Sequence, residues 1–213
     1  MARLAKDRDT HLTREEIAGE ALRQFDAGDA PSIRALAAAL KVAPTAIYHH
    51  FPSMAAIYDA VVERVWAQAL AIGMDLIPDP AAADPAEVLV AAGIATRRAF
   101  VAHPAAAVHL VATTESSARL NDNLELLAGT FGRLGLSGEE AAAAFHTYAS
   151  FTIGSVLFVT ARMAAGPTAP DRRAPEPAPA QELTDMIRLS FEDPQRDAEL
   201  FERGLRRLVS GLR

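Results

Sequence analysis

Thr45, Tyr48, His49 and His50 fall within one short stretch, and Ser32 and Arg34 lie shortly before it. Each carries a hydrogen-bond donor. Threonine and histidine can donate to bases or phosphates, and a tyrosine hydroxyl can donate to phosphate. Reading DNA in this way requires a short exposed helix whose N-terminal side chains reach base edges. It also requires a preceding helix that crosses the phosphates. Other chemistry is poorly supplied. No cysteine is present, so disulfides, thiolate zinc sites, iron–sulfur clusters and cysteine nucleophiles are excluded. No H-E-x-x-H, G-x-S-x-G, G-x-G-x-x-G or P-loop pattern occurs, so no enzyme motif is present. His103 precedes Pro104 and reads as a helix-end residue, and His109 reads either as a pocket group or as a core histidine. The two are six apart and do not share a helical face as metal ligands at i, i+4 would.

The elements that must position these groups are helical. Alanine accounts for 46 of 213 residues, against one Trp, three Tyr and nine Phe. Alanine has the highest helix propensity, and no stretch alternates with the period of a strand, so the class is all-α. Thr13 and Glu16 form a capping-box pattern that opens a first helix, with Ile17, Ala21, Leu22 and Phe25 on one face. Ser32 opens a second, short helix whose Ile33, Leu36, Ala37 and Leu40 form one stripe. After a break at Lys41-Val42-Ala43, Pro44 opens a third over 44–50, burying Ile47 and Phe51. Ser53 caps a long helix over 54–72. Prolines 78, 80 and 85 mark a linker, followed by helices over 86–102, 104–113, 119–134 and 139–163. Residues 166–180 hold 5 of the 13 prolines and read as a flexible loop; helices over 183–190 and 194–212 follow.

Charge is 21 Lys+Arg against 27 Asp+Glu, which by itself argues against a generic nucleic-acid or membrane-surface binder. The balance is uneven: residues 1–50 are neutral and 1–14 carry a net positive charge, through Arg3, Lys6, Arg8 and Arg14 against Asp7 and Asp9. No apolar run of about 18 residues and no apolar stretch near the start are read, so a soluble cytoplasmic protein without a membrane partner is expected. From spacing alone, the second and third helices fit either a DNA-binding helix-turn-helix or two short packing helices.

The stretch S-I-R-A-L-A-A-A-L-K-V-A-P-T-A-I-Y-H-H-F-P-S-M, residues 32–54, resembles the helix-turn-helix of the tetracycline-repressor (TetR) family, including its aromatic ending before the fourth helix. R-R-A-F-V-A-H-P-A-A-A-V-H-L (97–110), F-T-I-G-S-V-L-F (151–158) and the long loop before the last helix are similar to segments of the tetracycline-binding repressors. The resemblance implies a three-helix DNA-binding domain over 1–53 and a larger helical effector-binding and dimerisation domain over 54–213. It implies a homodimer that represses transcription from a palindromic double-stranded operator and is released by a small organic effector. Arg34, Thr45, Tyr48 and His50 fall where the family touches DNA; Ser32, Ala43, Pro44 and His49 fall at variable positions that tune sequence choice. Lys41 stands where glycine is usual, and Met54 where a lysine is common. His109 matches a magnesium-ligating histidine. Leu70, however, replaces a ligand-contacting histidine and Phe158 a carboxylate, so no metal, cofactor or tetracycline is expected. A helical binding or scaffold protein without DNA activity is the alternative.

Two expectations concern the larger domain. Phe145, Ala149, Thr152, Val156, Val159 and Met163 recur at steps of 3 and 4, as do Phe201, Leu205, Leu208 and Leu212; these are seam periods, read as a four-helix dimer interface. Alanine-rich packing faces between 86 and 163 leave room for a mostly apolar cavity. Its expected lining is Phe100, His109, Thr113, His146, Tyr148 and Thr152, with His109 and His146 orienting an uncharged or weakly polar effector.

Overall fold

The Thr13 cap forms as its sequence suggests. The hydroxyl accepts from the Glu16 amide, and the Glu16 carboxylate accepts from the Thr13 amide. In the computed structural model, which describes residues 12–110, 118–165, 183, 185–186 and 192–212, this opens α1 (Arg14–Asp26). Then come α2 (Ile33–Leu40), α3 (Pro44–His50), α4 (Met54–Leu76), α5 (Pro85–Ala102), α6 (Pro104–Leu110), α7 (Ala118–Arg133), α8 (Gly138–Ala165) and α9 (Pro194–Ser210). Among the described residues every regular element is a helix. Ser53 and Asp84 cap α4 and α5, and Asp193 caps α9, each through a side-chain oxygen that accepts from backbone amides.

Helix α4 runs one turn past its expected end at 72. The first obstacle is Pro78, and the residue before a proline is pushed out of the helical region, so Ile77 is extended and the helix stops there. The proline-rich stretch 166–180 and most of 183–190 lie outside the described residues.

The core is arranged in two apolar clusters. One runs from the head, with Ile17, Leu36, Ile47 and Phe51, along α4 through Ile57, Val61 and Val65 to Phe100, Ala106 and Val156. The other gathers Leu89 and Val90 of α5, Leu127 and Phe131 of α7, Tyr148 of α8, and Phe201, Leu205 and Val209 of α9. Helix α4 belongs to both head and body, because its inward stripe lies against α1 at one end and against α5 along much of its length. At the α5–α9 crossing Gly93 keeps the backbones close, since a Cβ there would lie 2.6 Å from Leu205 Cδ2. Residues Gly138–Ala164 of α8 are long and apolar enough to cross a membrane by length and composition, contrary to the expectation that no such stretch exists. The apolar residues are interleaved with Thr147, Ser150, Thr152, Ser155 and Thr160, and the helix packs on α5, α6, α7 and α9.

Candidate nucleic-acid interface and internal cleft

The turn between α2 and α3 is made by Lys41, which has φ 59° and ψ 42°, the left-handed conformation that glycine adopts at least cost. Its amide bonds back to Ala38 O and the Val42 amide to Ala37 O, closing α2 and redirecting the chain into α3. Leu36 and Ala37 of α2 and Ala46 and Ile47 of α3 are buried together. The opposite side of α3 is left to solvent: Ala43, Pro44, Thr45, Tyr48 and His49 are exposed, as is Arg34 on α2. Tyr48 is 55% exposed although aromatic. The Ser32 hydroxyl accepts from the Ala35 amide as the cap of α2, and its proton remains available to donate. His50 is half-buried, and its carbonyl accepts from the Arg14 guanidinium, which also lies 4.0 Å above the Phe51 ring. Arg14, read in the sequence as part of a basic arm, thus fastens the C-terminal end of α3.

Head and body meet at two clusters. The His109 ring of α6 lies 4.5 Å from the Tyr58 ring of α4 and 5.4 Å from the Phe25 ring of α1. His103, the residue that ends α5, points Nδ1 at the Asp26 carboxylate of α1 (2.9 and 3.0 Å) and Nε2 at Gln68 Oε1 of α4 (2.8 Å). A carboxylate only accepts, so Nδ1 is the protonated donor. One side chain therefore ties α5 to both α1 and α4. The sequence showed His103 as a helix-end residue but could not show its partners, which lie 77 and 35 residues away.

The body holds a cleft between α4, α5 and α7, lined by Leu70, Gly73, Met74, Ala92, Thr96, Asn123 and Leu126 among others. About 420 Å³ of empty space opens there toward solvent, of which about 30 Å³ is wide enough for the centre of a water molecule. None of the expected effector residues that are described lines it. Phe100 is fully buried, edge-on to Trp66 at 5.1 Å, and His109 is in the aromatic cluster just described. His146 lies on the exposed side of α8, and Thr113 is outside the described residues. The Tyr148 hydroxyl donates to Leu89 O at 2.8 Å, and burial pushes its phenol well above the usual range. Thr152 is near enough to influence that phenol, yet its buried hydroxyl makes no hydrogen bond of acceptable geometry. Among the described residues no three His, Asp or Glu converge as a metal site would require.

Most of the expected seam is likewise turned inward, although Met163 is 56% exposed. Thr152, Val156, Phe201 and Leu205 are buried inside the protomer, and Leu205 has no exposed surface to offer a partner. Phe145, Ala149, Leu208 and Leu212 are half-buried at the same interface. The physical reason is that α8 and α9 pack on each other and on α5 with the same 3–4 spacing a dimer seam would use. Arg97 of α5 pins this junction: it donates to Ser155 Oγ at 3.0 Å, pairs with Asp197, and lies 5.0 Å from the centre of the Phe201 ring.

Comparison with known proteins agrees with this anatomy. Residues 17–61 match the model of bacterial regulatory proteins of the tetR family, and residues 77–213 match the tetracyclin repressor-like C-terminal domain. No curated protein matches the chain. Similar solved structures include a possible TetR family transcriptional regulator from Streptomyces coelicolor A3(2), at 23% identity and TM-score 0.75 over 94% of this chain and 98% of that one. TetR from Acinetobacter baumannii AYE is 24% identical with TM-score 0.72, over 94% and 96%. The Streptomyces coelicolor TetR family protein ActR, in complex with actinorhodin, is 22% identical with TM-score 0.66, over 94% and 96%. An exposed polar helix held on a glycine-like turn, a long helix shared with a larger all-helical body, and family-model matches over both parts lead to one conclusion: the chain belongs to the TetR family of transcriptional regulators.

Proposed function

We propose that this protein is an effector-responsive repressor that binds a two-fold-related operator as a homodimer and releases it when a small organic molecule occupies the body. The observation that carries the reading is α3: two residues bury its inner side, while Thr45, Tyr48 and His49 stand in solvent, as does Arg34 of α2. Residues 1–53 serve DNA, through Ser32, Arg34, Ala43, Pro44, Thr45, Tyr48, His49 and His50; residues 54–213 serve effector and partner. The protein is not an enzyme, and it works in the cytoplasm, where its operator is. Dimerisation uses α8 and α9 of each chain, with the exposed stripe Thr147, Ser150, Gly154, Phe158 and Ala161 as the seam. That stripe is supported by Gly154, where an added Cβ would meet nothing within 4 Å, and by Phe158, which is 52% exposed.

Selection from random DNA is the test. An enriched sequence with two-fold-related half-sites about 34 Å apart, or a simple multiple, is expected. Arg34→Ala should weaken binding uniformly if Arg34 meets phosphate, or relax one base position if it meets a base edge. Recovery of no two-fold-related sequence, or a monomer by sedimentation at micromolar concentration, overturns the proposal.

A further inference from the structure

Resting on the DNA-binding reading above, we infer that each operator half-site is read mainly through the C5-methyl groups of thymine, which meet Ala43, Pro44 and Thr45. Bases are told apart in the major groove by a short menu of contacts. Arg or Lys grips guanine and Asn or Gln grips adenine, each with two hydrogen bonds; a carboxylate accepts from the cytosine amino group; apolar groups touch the thymine methyl. Helix α3 and its cap Ala43 contain no Arg, Lys, Asn, Gln, Asp or Glu. All of 30–58 is free of Asp and Glu, and its two fixed cations, Arg34 and Lys41, stand on α2 and in the turn. Arg34 lies in the first turn of α2, the helix that crosses the phosphates in this motif, a place suited to the backbone more than to the bases.

What α3 offers to bases is apolar or single-pointed. Ala43, Pro44 and Thr45 are exposed in succession at its N-terminal end, the end whose side chains reach base edges. They supply a methyl group, a pyrrolidine ring and a second methyl group. Thr45, Tyr48 and His49 then share one face at i, i+3 and i+4. None of these three can make the paired contact that singles out guanine or adenine, and a hydroxyl both donates and accepts, so it tolerates several bases. Ala46 and Ile47 are buried against the rest of the head and take no part. Discrimination is left to the thymine methyl. Burying one methyl group changes affinity by about fourfold, so a half-site without a paired reader must hold more than one contacted thymine.

The test uses the full chain and the operator recovered from random duplexes, remade with deoxyuridine in place of thymidine at one position at a time. Uracil keeps every hydrogen-bonding atom of thymine and lacks only the methyl. We expect at least two thymines per half-site at which the replacement weakens binding by about fourfold. Thr45→Ser removes a methyl and keeps the hydroxyl, Ala43→Gly removes a methyl and keeps a competent helix cap, and Pro44→Ala removes the ring. At its own thymine each variant should bind the thymidine duplex more weakly than wild type and the deoxyuridine duplex equally well, because the contact is already gone. Half-sites without thymine, or indifference to deoxyuridine at every position, overturn the inference and leave the operator reading standing. So does a deoxyuridine penalty of the same size in wild type and all three variants at every thymine. Selection that enriches no sequence overturns both.

Discussion

Lys41→Gly tests whether the helix-turn-helix is under backbone strain. Lys41 is the one non-glycine residue with positive φ among those described, at 59°. An L-residue in that region costs about 1–2 kcal/mol. Glycine removes that strain but loses about 0.5–1 kcal/mol of extra chain entropy on folding. The net expectation is a gain of about 0.5–1 kcal/mol, or a rise of about 1–4 °C in melting temperature for a chain of this size. Lys41→Ala is the control, because alanine keeps the Cβ and with it the strain; its stability should match wild type. The Lys41 side chain is exposed beside the proposed DNA surface. If it meets a phosphate, both variants should lower the salt slope of operator binding by about one, whatever their stabilities. Calorimetric melting and salt-titrated binding read the two effects separately. If glycine is no more stable than alanine at this position, the strain argument is refuted.

Gly93→Ala forces a methyl group into Leu205 at 2.6 Å and toward the Tyr148 hydroxyl at 3.1 Å. Overpacking costs about 1–3 kcal/mol against about 1 kcal/mol of helix propensity, so urea unfolding should show a net loss that Leu205→Ala relieves; equal loss in both backgrounds would be incompatible with the clash. Thr152→Val replaces a buried hydroxyl that has no hydrogen bond and should be neutral or stabilising by up to about 1 kcal/mol; a clear loss of stability would show that the hydroxyl has a partner. Arg14→Ala removes both the bond to His50 O and the cation over Phe51 and should reduce operator affinity severalfold. Arg14→Lys should fail to restore it, because an ammonium lacks the planar fork; full recovery by lysine would reduce Arg14 to a simple charge. The Arg23 hydrogen bond holds the Glu20 carboxyl below its ordinary 4.5, with burial opposing and Gln24 assisting. A depressed pKa contributes stability above 4.5 that is lost as pH falls through the folded value. Glu20→Gln should therefore flatten the acid limb of the stability–pH curve, and an unchanged limb would remove the pair from the account.

The head was legible because its signals are local. The Thr13–Glu16 box, the Leu36-Ala37 stripe, Pro44 at the first turn of α3 and the Ser53 cap each lie within a few residues of the group they satisfy. Each one fixes a helix boundary without knowledge of the rest of the chain. The left-handed turn at Lys41 was signalled only by the family resemblance, in which glycine is usual at that position. The end of α4 was less legible, because proline halts a helix only when the chain reaches it, and Ile72 offered no physical reason to stop earlier.

The body was less legible for a different reason. A 3–4 spacing states that one face of a helix is apolar; it does not state what covers that face. Leu205 reads equally well as a dimer seam and as the residue beneath Gly93, and only the crossing of α5 and α9 decides for the second. The histidines show the same limit. Nothing near His103 in the chain points to Asp26 or Gln68, and nothing near His109 points to Phe25 and Tyr58. Both histidines turn out to join body to head, and the cleft falls instead to alanines, two leucines, a threonine, an asparagine and other small or aliphatic residues that carry no signal in isolation. Alanine-rich faces explain why: a small side chain leaves space without revealing where, and that space exists only once α4, α5 and α7 are brought together. A site made of absent volume is written in the packing of three helices, whereas a surface made of donors on one short helix is written in the sequence itself.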